Sequence, residues 1–523
     1  MSKNDRSLVS INSTSTVQFS DSMKLALFVL WATISLGEGY RILCVFPVPS
    51  PSHNIAGKGF VDALLQAGHQ VWWATPYPEK VKHQTDNLTI IDVSATKKVF
   101  ENVNMTNPQP AYKLLFMSAN IAATAAASPE LQQAMLTVDF HAVVTEWFAS
   151  DIPAGYAAVQ QAPWIMLSSV VAHSCLEMLV DDVTSTALVP TMMTIAPLPM
   201  GFFQRAANSV VVGLMQFVTW SMRIYSSNQY TDLFGPLAAA RGTVLPSLSE
   251  VYNNISILFV NSHPVLAPPR SFPPNVVDIA GYHVEENTSL PEDLQKLLDS
   301  SPGFIYFSLG SVVKVSELPL TLKTKLAQMF GELPYTVLWR SDEELEVPRN
   351  VLVRKWFPQA GILAHRNIKL FITHAGLLSI IEAVHHGIPV LSVPVFGDQP
   401  MNAERTVTAG FGLKADFHSG MAGEIRRGVE EMIGNESYYE AAKQASKLYR
   451  RRPVSPSKLI PHYVELAIES QGAYHLRSAA RLYPWYARTQ IDQLLFCAVL
   501  FYALYVAGRI VVHQLKRGKR KTE

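Results

Sequence analysis

The chain is 523 residues long, more than one hydrophobic core can organise, so two domains with additional segments are expected. Apolar residues make up 48% against 16% charged, a bias that points toward membrane contact. The 43 basic and 42 acidic residues leave a formal charge of +1, without the basic excess of a nucleic-acid binder; three cysteines (Cys44, Cys175, Cys497) make no disulfide framework and argue against a structural zinc.

In chain order, the first feature is "MKLALFVLWATISLGEGY" from Met23. One lysine, an apolar core too short to span a bilayer and small residues near Gly37 and Gly39 give the layout of a secretory signal peptide. The polar residues 1–22 ahead of it leave Met1 and Met23 both open as the start, and residues 1–39 are read as extension plus signal.

From Tyr40 short apolar runs alternate with helix-length segments. "RILCVFPVP", "HQVWWATP", "FHAVVTEW" and "APWIMLSS" read as strands, with a helix over residues 55–66. Such alternation predicts a parallel sheet with crossover helices over residues 40–263. The segment from Met192 to Ile224 is apolar and helical; lining an apolar acceptor pocket and touching the membrane are open to it, with core packing its simplest reading. "HPVLAPPRSFPPN" then supplies a proline-rich linker, 264–275. The pattern restarts over 276–450 with "VVDIAGY", "GFIYFSLGS", "YTVLWR", "NVLVRKWFP", "IKLFITH" and "IPVLSVP", a second doubly wound domain. The fold class is therefore α/β, two Rossmann-like domains with a cleft at the carboxyl ends of their sheets.

Residues 451–490 read as helices returning toward the first domain and the membrane. Residues 491–513 form an apolar span, uncharged from Leu494 to Gly508, before a basic tail over 514–523. This predicts a single-pass membrane protein with a lumenal body and a short cytosolic tail. Lys519 and Lys521 have the spacing of dilysine retrieval signals, which points to the endoplasmic reticulum. Sequons at Asn87, Asn104, Asn254, Asn287 and Asn435 fit a lumenal glycoprotein.

The ligand chemistry concentrates in "FITHAGLLSIIEAVHHGIPVLSVPVFGDQPMNAE". In a parallel sheet the turn after a strand lies at the ligand edge. His374-Ala375-Gly376 lets backbone approach a ligand, and the helix from Leu377 presents free N–H groups suited to a diphosphate. "FSLGS" adds Ser308 and Ser311, and Arg340 adds a full charge. Trp356 offers an aromatic platform for a base, with the Gln359 amide beside it. Glu382, Asp398 and Gln399 are acceptor-rich groups for ribose and sugar hydroxyls. "GKGFVD" from Gly57 breaks the dinucleotide fingerprint and falls inside a helix. No DxD carboxylate pair is present, so no metal ligands are assigned and a metal-bound donor is not favoured.

The motifs W-x-P-Q, T-H-x-G, S-x-x-E-A, G-x-P and D-Q-x-x-N-A, in this order over residues 356–404, resemble the signature of the UDP-glycosyltransferases of family 1. "PVPSPSHN", "LPEDLQKLLDSSPGFIYFSLGS" and the terminal span resemble the membrane-bound animal enzymes, and "THAGLLS" the insect versions. The resemblance implies a GT-B arrangement. Trp356 would stack on uracil, Gln359 and Glu382 would meet the ribose, and His374, Gly376, Ser308, Ser311 and Arg340 would form the diphosphate site. Asp398 and Gln399 would hold the sugar.

It also implies a general base at His53, with an acidic partner at Glu146 or, as an alternative, Asp151. The expected reaction is inverting transfer of a hexose, glucose first, from the UDP-sugar co-substrate to a small lipophilic hydroxyl compound, without a cofactor, in detoxification or in the handling of a hormone, pigment or odorant. The implied partners are the UDP-sugar donor, the lipophilic acceptor and a membrane, with no nucleic acid and with room for a homo-oligomer. A membrane-lipid acceptor and a non-catalytic carrier are the alternatives. Ala375 departs from the family's glycine, and its methyl is expected to be tolerated if the backbone angles there are ordinary.

Overall fold

The computed structural model describes residues 39–81, 85–100, 111–180, 186–191, 193–194, 196, 198–268, 270–285, 288–311 and 313–519. The expected signal peptide, the sequons at Asn104 and Asn287, and Lys521 lie outside the described residues.

The first sheet is seven parallel strands: β1 (Arg41–Val45), β2 (Gln70–Thr75), β3 (Leu88–Asp92), β4 (Ala142–Glu146), β5 (Trp164–Ser168), β6 (Ile255–Val260) and β7 (Val276–Asp278). Their spatial order is β3-β2-β1-β4-β5-β6-β7. The second is six parallel strands: β8 (Phe304–Ser308), β9 (Thr336–Arg340), β10 (Val351–Arg354), β11 (Ile368–Thr373), β12 (Val390–Ser392) and β13 (Gly412–Lys414), ordered β10-β9-β8-β11-β12-β13. Helices cover both faces of each sheet, which is why β4, β5, β6 and β8 are buried along their whole length and read as unbroken apolar runs.

One strand changes sheets relative to the sequence reading. Val276–Asp278 pairs with β6 and closes the first sheet instead of opening the second, whose sixth strand is Gly412–Lys414. A three-residue apolar run carries no information about which sheet it joins. Its neighbours decide.

Strand order reverses between β1 and β4 in the first sheet and between β8 and β11 in the second. At each reversal the crossover helices diverge to opposite faces and leave a crevice at the carboxyl ends of the strands. The helix Pro51–Gln66 follows β1, with Pro51 setting the first helical turn and Ala56, Phe60, Val61 and Leu64 buried on one face. The two glycines of "GKGFVD" serve close packing in this helix. A Cβ on Gly57 would stand 2.8 Å from the Phe46 ring, and one on Gly59 would stand 3.0 Å from the His283 backbone.

The helix Pro456–Glu469 packs on the first half of the molecule, where Ile460, Val464 and Ala467 share a core with Ile42, Phe46 and Phe60. Beyond it, Arg477 donates to Asn254 Oδ1 at 2.7 Å and Ser256 Oγ at 3.0 Å, pinning the chain to the base of β6. That contact occupies the Asn254 side chain, whereas Asn87 and Asn435 are exposed. Residues Ile491–Gln514 then form a helix long and apolar enough to cross a membrane, none of it buried in the body.

Candidate active site

The carboxyl ends of the two sheets enclose a cavity of about 970 Å³. His53, Ser308, Ser311, Arg340, Trp356, Gln359, His374, Gly376, Glu382, Asp398 and Gln399 all line it. Glu146 stands one layer behind. Asp151 does not contribute.

On the first wall, His53 lies in the opening turn of the helix after β1, and Glu146 is the last residue of β4. These are the two strands that flank the reversal point, so the fold itself brings the pair together. His53 Nδ1 donates to Glu146 Oε1 at 2.5 Å, leaving Nε2 as the free ring nitrogen. Phe148 packs edge-on against the imidazole, with ring centroids 5.4 Å apart. Burial pulls the His53 pKa down, but the Glu146 charge and hydrogen bond, with a smaller push from Asp398, carry it above the ordinary histidine value. Asp151, the alternative partner, is paired instead with Arg223 at 2.8 Å, an ion pair set up by a helix 72 residues further on.

On the second wall, His374 follows β11 and Ser308 ends β8, again the strands at the reversal. The His374 ring is held between two glycines. A Cβ on Gly310 would stand 2.4 Å from the ring and one on Gly376 2.5 Å, so neither position has room for a side chain while the ring stays. Burial and the nearby Arg340 charge lower the His374 pKa to about 4, so the ring is neutral at physiological pH and offers an N–H. Arg340 donates to the Gly310 carbonyl, and its buried Nε has no hydrogen-bond partner among the described residues. Gly376 is the N-cap of the helix Leu377–His386, whose first N–H groups face the same space.

Trp356 is 61% exposed at the cavity mouth, a flat aromatic face open to a ligand. Behind it, Gln359 Nε2 donates to Glu382 Oε2 at 2.7 Å and to Ser379 Oγ at 3.0 Å. Burial, opposed by the Gln359 hydrogen bond and reinforced by Glu285, raises the Glu382 pKa to about 7, although the cavity leaves the side chain partly open. Gln399 Oε1 accepts from the Val395 and Phe396 amides at 2.8 and 3.0 Å, which fixes the loop that carries Asp398. Asn402 donates to Asp398 Oδ2 at 2.7 Å and to the Ala375 carbonyl at 3.1 Å, tying the two ligand loops together.

Ala375 corrects the expectation about its methyl. Its φ is +62°, in the left-handed region, and the residue is fully buried. An L-residue there costs about 1–2 kcal/mol relative to ordinary backbone, and the bond from Asn402 helps to hold it.

Sequence reasoning missed Phe148, Tyr282, His283 and Glu285, all near or lining the cavity. Three of them follow β7, a segment with no chemical motif. Among the described residues no three His, Cys, Asp or Glu side chains converge as a metal ion would require.

The profile of the family described as "UDP-glucoronosyl and UDP-glucosyl transferase" matches residues 43–521. The chain is 31% identical to UDP-glucosyltransferase 2 of Dactylopius coccus, covering 95% of this chain and 97% of that protein. It is 28% identical to UDP-glucuronosyltransferase 1A1 of Rattus norvegicus, covering 87% of each. It is 27% identical to the ecdysteroid UDP-glucosyltransferase of Lymantria dispar multicapsid nuclear polyhedrosis virus, covering 84% of this chain and 89% of that one. Among solved structures it is similar to the glycotransferase of kitacinnamycin, with a TM-score of 0.57, 18% identity, and 83% of this chain and 100% of that chain covered. It is also similar to the spinosyn forosaminyltransferase SpnP, with a TM-score of 0.57, 17% identity, and 82% and 99% covered. At such identities the structural likeness shows the fold, a GT-B pair of sheets.

Proposed function

The chain belongs to the UDP-glucuronosyl and UDP-glucosyl transferase family and is a glycosyltransferase, and we propose that it moves glucose from UDP-glucose to a small lipophilic hydroxyl compound, inverting the anomeric centre. The observation that carries this reading is the pairing of walls across one cavity. A histidine–glutamate pair faces a neutral histidine, a helix N-terminus and an open tryptophan.

In the proposed step, His53 Nε2 takes the proton of the acceptor hydroxyl as its oxygen bonds to C1 of the sugar. The C1–O bond to UDP breaks, and UDP leaves with the electron pair. Glu146 fixes the ring through Nδ1 and stabilises the imidazolium that forms. The charge growing on the departing phosphate meets the His374 N–H, Arg340 and the amides at Leu377. Asp398 and Gln399 would position the sugar, and Glu382 with Gln359 the ribose. We place the enzyme in the endoplasmic reticulum membrane with its body lumenal, in a detoxifying role. The basic end of the chain and the exposed Asn87 and Asn435 support this placement. Glucose is preferred over glucuronate because UDP-glucosyltransferase 2 of Dactylopius coccus is a glucosyltransferase by name.

The test supplies microsomes carrying the full chain with radiolabelled UDP-glucose or UDP-glucuronate, a panel of phenols and an ecdysteroid. A labelled β-glycoside from UDP-glucose is expected. Product from UDP-glucuronate alone would overturn the donor assignment. No product from either donor, with UDP-sugar still bound, would overturn the reading in favour of a carrier or a membrane-lipid acceptor. A second expectation concerns Trp356. Replacing Trp356 by Ala removes an aromatic face, and base stacking of about 1–3 kcal/mol predicts a KM for UDP-glucose about 5- to 150-fold higher at little changed kcat. Steady-state kinetics at saturating acceptor check it.

A further inference from the structure

The helix Phe202–Ala240 is 39 residues long, and its first half presents an apolar face to the outside. The sequence favours core packing for this segment, and the structure corrects that for its outward side. Phe203 is 84% exposed and Trp220 54%, and Val210, Leu214, Phe217 and Ile224 are exposed with them. Residues 203, 210, 214, 217 and 224 follow helical spacing, so they form one stripe rather than scattered contacts. The opposite side, at Asn208, Val212, Ser226 and Tyr230, is buried in the body.

The stripe also lacks charge. Between Phe202 and Tyr225 the only charged residues are Arg205 and Arg223. Arg205 is folded back to the Met200 carbonyl at 3.1 Å, and Arg223 is turned inward to Asp151 and over the Tyr252 ring. A continuous aromatic and aliphatic face of this length, in water, is what a soluble monomer avoids.

The rest of the chain says what covers it. Arg477 is tied to Asn254 and Ser256 in the half of the molecule that carries this helix, and the apolar span begins at Ile491. Even fully extended, at about 3.5 Å per residue, the connecting segment keeps the Arg477 anchor at Asn254 and Ser256 within about 50 Å of the span, and its two short helical turns bring it closer. The connector itself exposes Tyr483 and Tyr486, the kind of side chain that settles at a membrane–water boundary.

We propose that the outward face of this helix, from Phe203 to Ile224, lies in the interfacial layer of the same bilayer that holds Ile491–Gln514. The protein then meets lipid at two places, the C-terminal span and a helix of the first half lying flat. Apolar residues enter the acyl boundary while the buried side keeps its protein contacts. The inference does not depend on which compound the cavity glycosylates.

The test uses the full chain in phosphatidylcholine nanodiscs that hold one copy each. A small fluorophore is attached at Phe217→Cys in one protein and at Glu440→Cys, an exposed position on another helix, in a second; Cys497→Ser in both removes the exposed native thiol. Nitroxide-bearing lipids are expected to quench the Phe217 probe at least about twofold more than the Glu440 probe, with iodide in the water showing the reverse order. Leu214→Lys added to the Phe217 probe protein is expected to abolish the difference. Equal iodide quenching at both positions, without lipid quenching at Phe217, would overturn the proposal. So would shielding that develops only in discs carrying two copies, which would assign the face to self-association.

Discussion

Replacing His53 by Ala is expected to lower glycoside formation by about 10²- to 10⁴-fold while UDP-glucose still binds, because the lost group acts on the acceptor and not on the donor. The Glu146→Gln protein provides the sharper test. Two opposing influences set the His53 pKa: burial lowers it, and the Glu146 carboxylate at 2.5 Å, with Asp398 across the cleft, raises it above the ordinary value. A base must be unprotonated to act, so kcat/KM should rise with pH along an acidic limb displaced upward from the ordinary histidine range. Without the Glu146 charge, burial is opposed only by Asp398, and the limb should move to lower pH. The plateau should fall at the same time, since the imidazolium formed during proton transfer has lost its counter-charge. A slower enzyme that holds its activity to lower pH is an unusual combination. If Glu146→Gln lowers the plateau and leaves the limb in place, Glu146 only supports the fold. The Asp151→Asn protein serves as comparison: its partner is Arg223, so it is expected to lose stability without moving the limb.

How much of this was legible in advance depends on whether the determining contacts are local. The second wall was readable because its chemistry is carried by one stretch, from Trp356 to Gln399, in which each group sits just after a strand. Alternation of apolar runs predicts parallel strands, and parallel strands put those turns on one edge. His53 and Glu146 were readable as a pair only with help from resemblance, although the sheet order explains it: β1 and β4 are neighbours at the reversal point. Asp151 remained an alternative because nothing near it in sequence shows that Arg223 claims it. The long helix read as core because the sequence shows that Phe203, Phe217 and Trp220 are apolar, not which way they face. Ala375 read as tolerable because a left-handed φ leaves no trace in composition. His283, whose ring is buried, follows a strand that joins the other sheet from the one its sequence pattern suggests, so no pattern points to it.

The packing of His374 between glycines makes a graded prediction for donor binding. Gly310 has φ +76° and Gly376 has φ −60°, and a methyl on either would meet the same imidazole at 2.4 or 2.5 Å. Gly310→Ala therefore combines backbone strain of about 1–2 kcal/mol with a collision, whereas Gly376→Ala has the collision alone. Gly68 supplies the complement: its φ is +88° with nothing within 4 Å of the Cβ position, so Gly68→Ala has the strain alone. The ring cannot escape from one glycine without approaching the other, so a methyl on either side should displace it from the diphosphate position. Calorimetric titration with UDP is expected to show a Kd at least about tenfold weaker for Gly376→Ala and for Gly310→Ala, and unchanged affinity for Gly68→Ala. Thermal melting should order them differently, with Gly310→Ala, which has both the strain and the collision, less stable than either Gly376→Ala or Gly68→Ala. If Gly376→Ala binds UDP as the parent does, His374 does not contact the diphosphate, and the charge on the leaving group must be met by Arg340 and the helix amides without it.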